Sequence, residues 1–151
     1  MVSDASLHLI PDDPGWVPDE IAARRAVRVL RALLPGARAV HAEVHPHPVF
    51  VDGSRRLGPI TCPACGGELA DPWWSERMSR AEAGDFTRLA VRTPCCGTAT
   101  SLDELAYSGP AGFARFQLTA LDPGRDRLTP EELDRVAAAL GCPVREVPGR
   151  A

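Results

Sequence analysis

The 151-residue chain predicts an α+β fold, with two strand–helix–strand halves set around a cysteine-bearing insert. Three observations carry that expectation. Residues 1–57 and 110–151 share one order of signals: a strand, an Asp-Pro-Gly turn, an amphipathic helix opened by Pro and acidic residues, a Gly stop and a second strand. Residues 58–109 lie between them and carry four of the five cysteines in two pairs. Apolar content of 44% is ordinary for a chain able to bury one core.

In the first half, Leu7–Ile10 is a short strand ended by Pro11, and Asp13-Pro14-Gly15 is a turn. Pro18-Asp19-Glu20 opens a helix whose apolar stripe is Ala23, Val27, Leu30 and Leu34, and Pro35-Gly36 stops it. Val40, Ala42 and Val44 then alternate with His41, Glu43 and His45, the period of a strand with the apolar set buried. Val49–Val51 extends it past Pro46 and Pro48, which belong at an edge or a bulge. In the second half, Phe113–Leu121 is a strand with Ala114, Phe116, Leu118 and Ala120 on one face. Thr129-Pro130-Glu131-Glu132 is a capping box, Leu133, Val136, Ala137 and Leu140 form the helix stripe, and Gly141 ends it. Val144–Val147 supplies the last strand. Two such halves side by side resemble the ferredoxin-like βαββαβ sandwich, in which two helices cover one face of an antiparallel sheet.

Within the insert, Asp71 caps a helix with Pro72 at its first position and Trp73, Trp74 and Met78 as its apolar bulk. Phe86–Thr93 reads as a strand, and Ser101-x-x-Glu104 opens a short helix over Leu102–Ala106. The two cysteine pairs are Cys62-Pro-Ala-Cys65-Gly66 and Pro94-Cys95-Cys96-Gly97, with 29 residues between Cys65 and Cys95. Thiolates delivered on Gly-terminated turns are the usual ligand supply of a structural zinc ion.

The first pair resembles the knuckle of zinc-ribbon and rubredoxin-like domains, and the resemblance is confined to residues 58–109. It implies one structural Zn2+ per chain with Cys62, Cys65, Cys95 and Cys96 as ligands. The second pair departs from the pattern. Aligned on Gly97, Cys96 takes the second ligand position, Thr93 stands where the first cysteine belongs, and Cys95 falls on a variable position. Either both vicinal thiols bind on a reshaped turn, or three thiolates bind and a histidine or water completes the site. The four-thiolate set is favoured because structural tetrahedral sites are closed. Such a site contributes on the order of 10 kcal/mol to folding, which would substitute for a large core in the insert. A redox dithiol is disfavoured, because Gly66-Gly67 follows the CxxC where a thioredoxin-like site needs a helix start. Cys142 reads as a small buried apolar residue.

A second constellation is His41, His45 and His47, which share one face of an extended chain with Glu43. It reads as the solvated face of an edge strand; the rival reading is a second, catalytic metal site. Arg24, Arg28 and Arg31 recur along the first helix, and Arg55-Arg56 follows later. All 17 basic residues are Arg, with no Lys and no Asn, the bias of a GC-rich bacterial genome, so the stripe reads as ordinary surface. The absence of Lys excludes P-loop, Schiff-base and Ser-Lys chemistry. A net charge of −3 argues against bulk electrostatic binding of nucleic acid.

The N-terminus lacks the pattern of a signal peptide, and no apolar run is long enough to span a membrane. Five cysteines in that setting point to a reducing cytoplasm, where paired cysteines mean metal. The expected function is a non-enzymatic zinc-binding interaction or adaptor module with a protein partner. Tyr107–Phe113 and the Trp73/Trp74 helix are its expected contact surfaces. A nucleic-acid-associated zinc ribbon is the alternative, and a metal enzyme using His41, His45 and His47 the third.

Overall fold

The computed structural model describes residues 5–52 and 58–150. The N-terminal residues 1–4 and the Arg55-Arg56 pair, both used in the sequence reading, lie outside that range. Among the described residues the chain forms a mixed α/β structure with three helices and three antiparallel sheets.

The largest sheet takes its four strands from the two ends of the chain. Strand β1 (Ala5–Pro11) is followed by helix α1 (Glu20–Leu33) and β2 (Ala39–Asp52). Much later come β8 (Ala111–Leu121), α3 (Pro130–Leu140) and β9 (Val144–Arg150). The strand order is β2-β8-β1-β9, and every neighbouring pair is antiparallel. Helices α1 and α3 pack together on one face of this sheet. Their buried side chains, led by Ala26, Leu30, Val136 and Leu140, meet Leu7, Leu9, Phe116 and Leu118 in one continuous core.

The helix boundaries follow the local chemistry. Asp19 caps α1 by accepting the Ala22 N–H, and Thr129 and Glu132 of α3 make the reciprocal capping box. Gly141 ends α3 at φ 97°, a left-handed conformation that glycine adopts without a Cβ clash. The buried stripe of α1 runs through Ala26 and Leu30, which leaves Ala23 and Val27 only half-covered.

Strand β2 is continuous through Pro46 and Pro48, but its register against β8 shifts between Val44 and Val49. The prolines sit on an edge strand and at that irregularity, where a missing N–H breaks no ladder. The burial expected of β2 is corrected. Val40 joins the core, yet Ala42 and Val44 are exposed, while His41, Glu43 and His45 are half-buried. Two helices do not span four strands, so the helix-side residues of the edge strand beyond Val40 stay open.

Residues 60–107 form two smaller sheets and a helix. Strands β3 (Ile60–Thr61), β4 (Glu68–Leu69) and β7 (Ala106–Tyr107) make one sheet in the order β4-β3-β7. Strands β5 (Ala90–Arg92) and β6 (Ala99–Ser101) make a hairpin, and α2 (Asp71–Ala83) lies between the sheets in sequence. Three local expectations are corrected here. Ala70 is the N-cap of α2 and makes no side-chain cap bond, with Asp71 already inside the helix. Only Ala90–Arg92 of the expected Phe86–Thr93 strand is extended, because Asp85 and Phe86 turn at positive φ. No helix forms over Leu102–Ala106: Ser101 accepts the Glu104 N–H in a turn, and Ala106–Tyr107 pairs with β3.

An aromatic cluster joins this segment to the large sheet. Phe50 of β2 lies 5.1 Å from Phe113 of β8, 5.9 Å from Tyr107 and 6.0 Å from Trp74, ring centre to ring centre. Tyr107 donates its hydroxyl to the Leu102 carbonyl and accepts the Trp74 indole N–H. Asp103 adds the polar tie, one carboxylate oxygen accepting both the Phe113 N–H at 3.0 Å and Arg145 of β9 at 2.7 Å. Gly112 leaves that path open, since a Cβ there would fall 2.6 Å from the Arg145 guanidinium.

Candidate metal centre

Two turns of the same construction face each other across the cysteine segment. In the first, the Cys62 N–H bonds to the Gly67 carbonyl and the Gly66 N–H to the Cys62 carbonyl, both at 2.9 Å. In the second, the Thr93 N–H bonds to the Thr98 carbonyl at 3.1 Å and the Gly97 N–H to the Thr93 carbonyl at 2.9 Å. Gly66 and Gly97 occupy the equivalent left-handed position, at φ 75° and 71°. The second turn is therefore an ordinary knuckle in its backbone, not the reshaped one that vicinal ligands were expected to need. Thr93 holds the place of a first cysteine.

The side chains nevertheless close a four-sulfur cluster. The Sγ atoms of Cys62, Cys65, Cys95 and Cys96 all lie within 4.8 Å of one another. Cys62 and Cys96 are 3.8 Å apart and Cys65 and Cys95 3.3 Å. Tetrahedral zinc with thiolates at about 2.3 Å needs sulfur–sulfur edges of about 3.8 Å, so the set fits with the Cys65–Cys95 pair opening slightly. Cys95 reaches the cluster from the variable turn position, and Gly67 of the facing turn packs beside it. A Cβ at Gly67 would sit 3.3 Å from the Cys65 sulfur and 3.5 Å from Cys95 Cβ. The Gly-Gly pair after Cys65 was legible in the sequence as a mark of the knuckle.

Burial is uneven. Cys62 is buried, while Cys65, Cys95 and Cys96 are exposed. Thr93 is 2% exposed and places its hydroxyl 3.6 Å from Cys62 Sγ and 3.5 Å from Cys96 Sγ. Those bonds decide which sulfurs ionise. Thr93 and Thr98 hydroxyls pull the Cys96 thiol down to about 6. The Cys65 backbone N–H, with the Thr93 hydroxyl, pulls Cys62 down as well. At Cys65 the Gly67 N–H favours the thiolate, but the neighbouring sulfurs outweigh it and push the thiol up to about 12. Two of the four sulfurs, Cys62 and Cys96, are thus held toward the thiolate form that a bound cation requires.

The other sequence candidates fare differently. Cys142 packs against the main core, and burial raises its thiol to about 11. It lies outside the cysteine cluster. His41 and His45 both approach Glu43, at 2.8 and 4.0 Å. His47 is separated from them, its Nδ1 on the Pro48 carbonyl and its Nε2 3.7 Å from Asp85. Among the described residues, only the four cysteines converge to metal-binding distance as a group of three or more.

The sequence reading missed His8, which pairs in register with Thr119 on β8, as does His41 from the other side. His8 Nδ1 lies 3.1 Å from the Thr119 hydroxyl and 3.3 Å from the Gln117 amide, whose oxygen lies 3.0 Å from His45 Nε2. Burial lowers the His8 pKa, partly offset by Glu43. The odd-numbered polar residues of β8, opposite its apolar face, were the available signal. Trp16, Trp73 and Trp74 all pack against the cores, as expected of filler residues. No helix among the described residues is long and apolar enough to cross a membrane. Compared with known proteins, the chain matches no family model, no curated protein and no solved structure.

Proposed function

We propose that the chain is a non-enzymatic cytoplasmic interaction or adaptor module in which Cys62, Cys65, Cys95 and Cys96 hold one structural Zn2+. The observation that carries the metal reading is the convergence of four sulfurs from two matched knuckle turns. Zinc suits an all-thiolate tetrahedral donor set, and a site with four protein ligands keeps no position for a substrate. In this reading residues 58–109 are a zinc-ribbon-like insert in a ferredoxin-like sandwich whose halves are residues 1–57 and 110–151. The order β2-β8-β1-β9 with two helices on one face supports that architecture.

The interaction reading draws on what the cysteine segment leaves over. Of the expected contact surfaces, the Tyr107–Phe113 loop and the Trp73/Trp74 helix, the rings of Trp74, Tyr107 and Phe113 pack on Phe50, which leaves the rest of the surface to be searched for a further partner site. The metal-enzyme alternative has weaker support, because His41, His45 and His47 do not converge. Elemental analysis of the purified chain is the direct test. One zinc per chain that is lost in Cys62→Ser and Cys96→Ser is the expected result. Two metals per chain, or an unchanged zinc content in those variants, would overturn the proposal.

A further inference from the structure

The two large apolar residues most exposed among the described residues belong to α1 and β2. Ile21 of α1 is 70% exposed and Val44 of β2 58% exposed. Between α1 and β2 runs an open groove of about 440 Å3, floored by Ala23, Val27 and Ala42 and rimmed by Arg24, Arg28 and Arg31, with Glu20 at one end. A second hollow of about 630 Å3 continues it past Arg31 to Arg38, over Leu34 and Val40.

Three features of the groove identify what would fill it. First, β2 is an edge strand, paired with β8 on one side and with no strand on the other among the described residues. The Val40 carbonyl is met by Arg31 of α1 at 3.3 Å, and Pro46 and Pro48 lack an N–H. The stretch from His41 to His45 is therefore the part of this edge that another strand can pair with. Second, the rim is cationic and poorly neutralised. Arg28 has no carboxylate partner among the described residues, and Arg24 pairs only with Glu20 in a fully solvated i,i+4 contact. Third, no aromatic side chain lines either hollow, so there is no platform on which a nucleic-acid base would stack. A second copy of the chain would bring the same arginines together, which like-charge repulsion opposes.

We infer that this groove captures an extended acidic peptide of a protein partner, which adds a strand to the free edge of β2. Its apolar side chains would lie over Ala42, Val44 and Val27, and its carboxylates would meet Arg24, Arg28 and Arg31. Backbone pairing supplies affinity in this recognition mode, and alternate side chains supply selectivity. The inference rests on the adaptor reading and gives it a partner chemistry.

The test uses the full zinc-loaded chain, isotope-labelled, titrated by NMR with the acetylated hexapeptide Glu-Thr-Val-Thr-Glu-Thr, whose glutamates and valine share one face of an added strand. A lysine–valine hexapeptide and a short single-stranded thymidine oligonucleotide serve as comparison probes. Amide shifts confined to β2 residues 41–45 and to α1, weakened by salt and absent with the lysine peptide, are expected. The exposed double variant Arg24→Glu/Arg28→Glu should bind the acidic peptide about tenfold more weakly at unchanged zinc content. Val44→Pro, which removes an edge N–H, should abolish the β2 shifts. Absence of shifts at millimolar acidic peptide would overturn the inference. So would tighter binding of the oligonucleotide through the same arginines, which makes the groove a nucleic-acid site. Concentration-dependent dimerisation blocked by Val44→Pro would assign it to a second copy. Peptide binding that leaves α1 and β2 unperturbed would remove the groove while the adaptor reading stands, whereas two metals per chain would remove that reading and leave the groove intact.

Discussion

The four-stranded unit and the cysteine segment are held together by different physics. The first unites strands of seven to fourteen residues with two capped helices over a core of fully buried side chains such as Leu7, Leu30, Phe116 and Val136. The second has strands of two or three residues and borrows Phe113 of β8 to complete its own apolar cluster. Apolar burial at about 25 cal/mol per Å2 stabilises the first without help. The second buries a smaller apolar cluster, and under the proposed reading a cross-link through four sulfurs adds to it. The contrast teaches that one chain can hold a large sheet by apolar packing and set four sulfurs within reach of one another in a much smaller segment.

The sharpest way to break this contrast is to remove a sulfur. Cys62→Ser is expected to cost the segment most of the roughly 10 kcal/mol that a closed zinc site contributes, while leaving the large sheet folded. Hydrogen exchange should show lost protection in residues 60–107 and retained protection in β1, β8 and β9. Global unfolding of both parts together would show that they are one cooperative unit.

The converse change strikes the other region. Phe116→Ala removes a fully buried ring and should destabilise the four-stranded unit by about 3–5 kcal/mol in urea. Zinc stoichiometry should be unchanged in the folded variant, and a loss of metal would mean that the sheet shapes the site directly.

A smaller effect is expected at the joint. Asp103→Ala leaves the Phe113 N–H and the Arg145 guanidinium without their shared acceptor, at a cost of about 1–3 kcal/mol. If the joint couples the two regions, the variant should let the cysteine segment open at a denaturant concentration that leaves the sheet intact. Unchanged coincident transitions would count against that role.

The smallest effect belongs to the uncovered face of the large sheet. His8 has a lowered pKa because burial disfavours its charged form, with Glu43 pulling the other way and His41 adding to the depression. Its neutral state is favoured on folding, so this stabilisation is complete above about pH 6.5 and fades as pH falls through the lower folded value. His8→Gln should therefore flatten the loss of stability between pH 7 and 5, measured at equal zinc occupancy. A slope equal to that of the parent chain would place the acid sensitivity elsewhere.

Much of the fold was legible along the chain because its signals are local. Asp19, the Thr129–Glu132 box and Gly141 act within one helical turn, so their spacing alone announces the helix ends. The cysteine turns are equally local, and Cys62 and Cys65 could be placed from five consecutive residues. Errors came where a local pattern met a competing partner. Leu102–Ala106 has a helix-start signature, yet Ala106 and Tyr107 pair with Ile60 and Thr61, more than forty residues away. Asp85 and Phe86 break the expected strand because the chain turns there to carry Phe86 onto Phe113.

The burial of β2 was misread for a related reason. Period-2 alternation correctly separates Val40, Ala42 and Val44 from His41, Glu43 and His45, but alternation does not say whether anything covers a face. That depends on how far two helices extend across four strands, a property of the assembled layers.

Sequence alone determined the caps of α1 and α3, the strand–helix–strand order of the two halves and the four thiolate candidates, because each depends on neighbours a few bonds away. Only the tertiary structure decided three further things. Cys95 meets Cys65 because two matched turns, thirty residues apart in the chain, are brought face to face. The aromatic residues of the cysteine segment turn inward onto Phe50 and Phe113, since burying them there removes apolar surface from water. The edge of β2 stays open beside three arginines, since α1 packs toward α3 and stops short of it. Each of these is a distance between parts remote in the chain, and such distances are set by packing rather than by local preference.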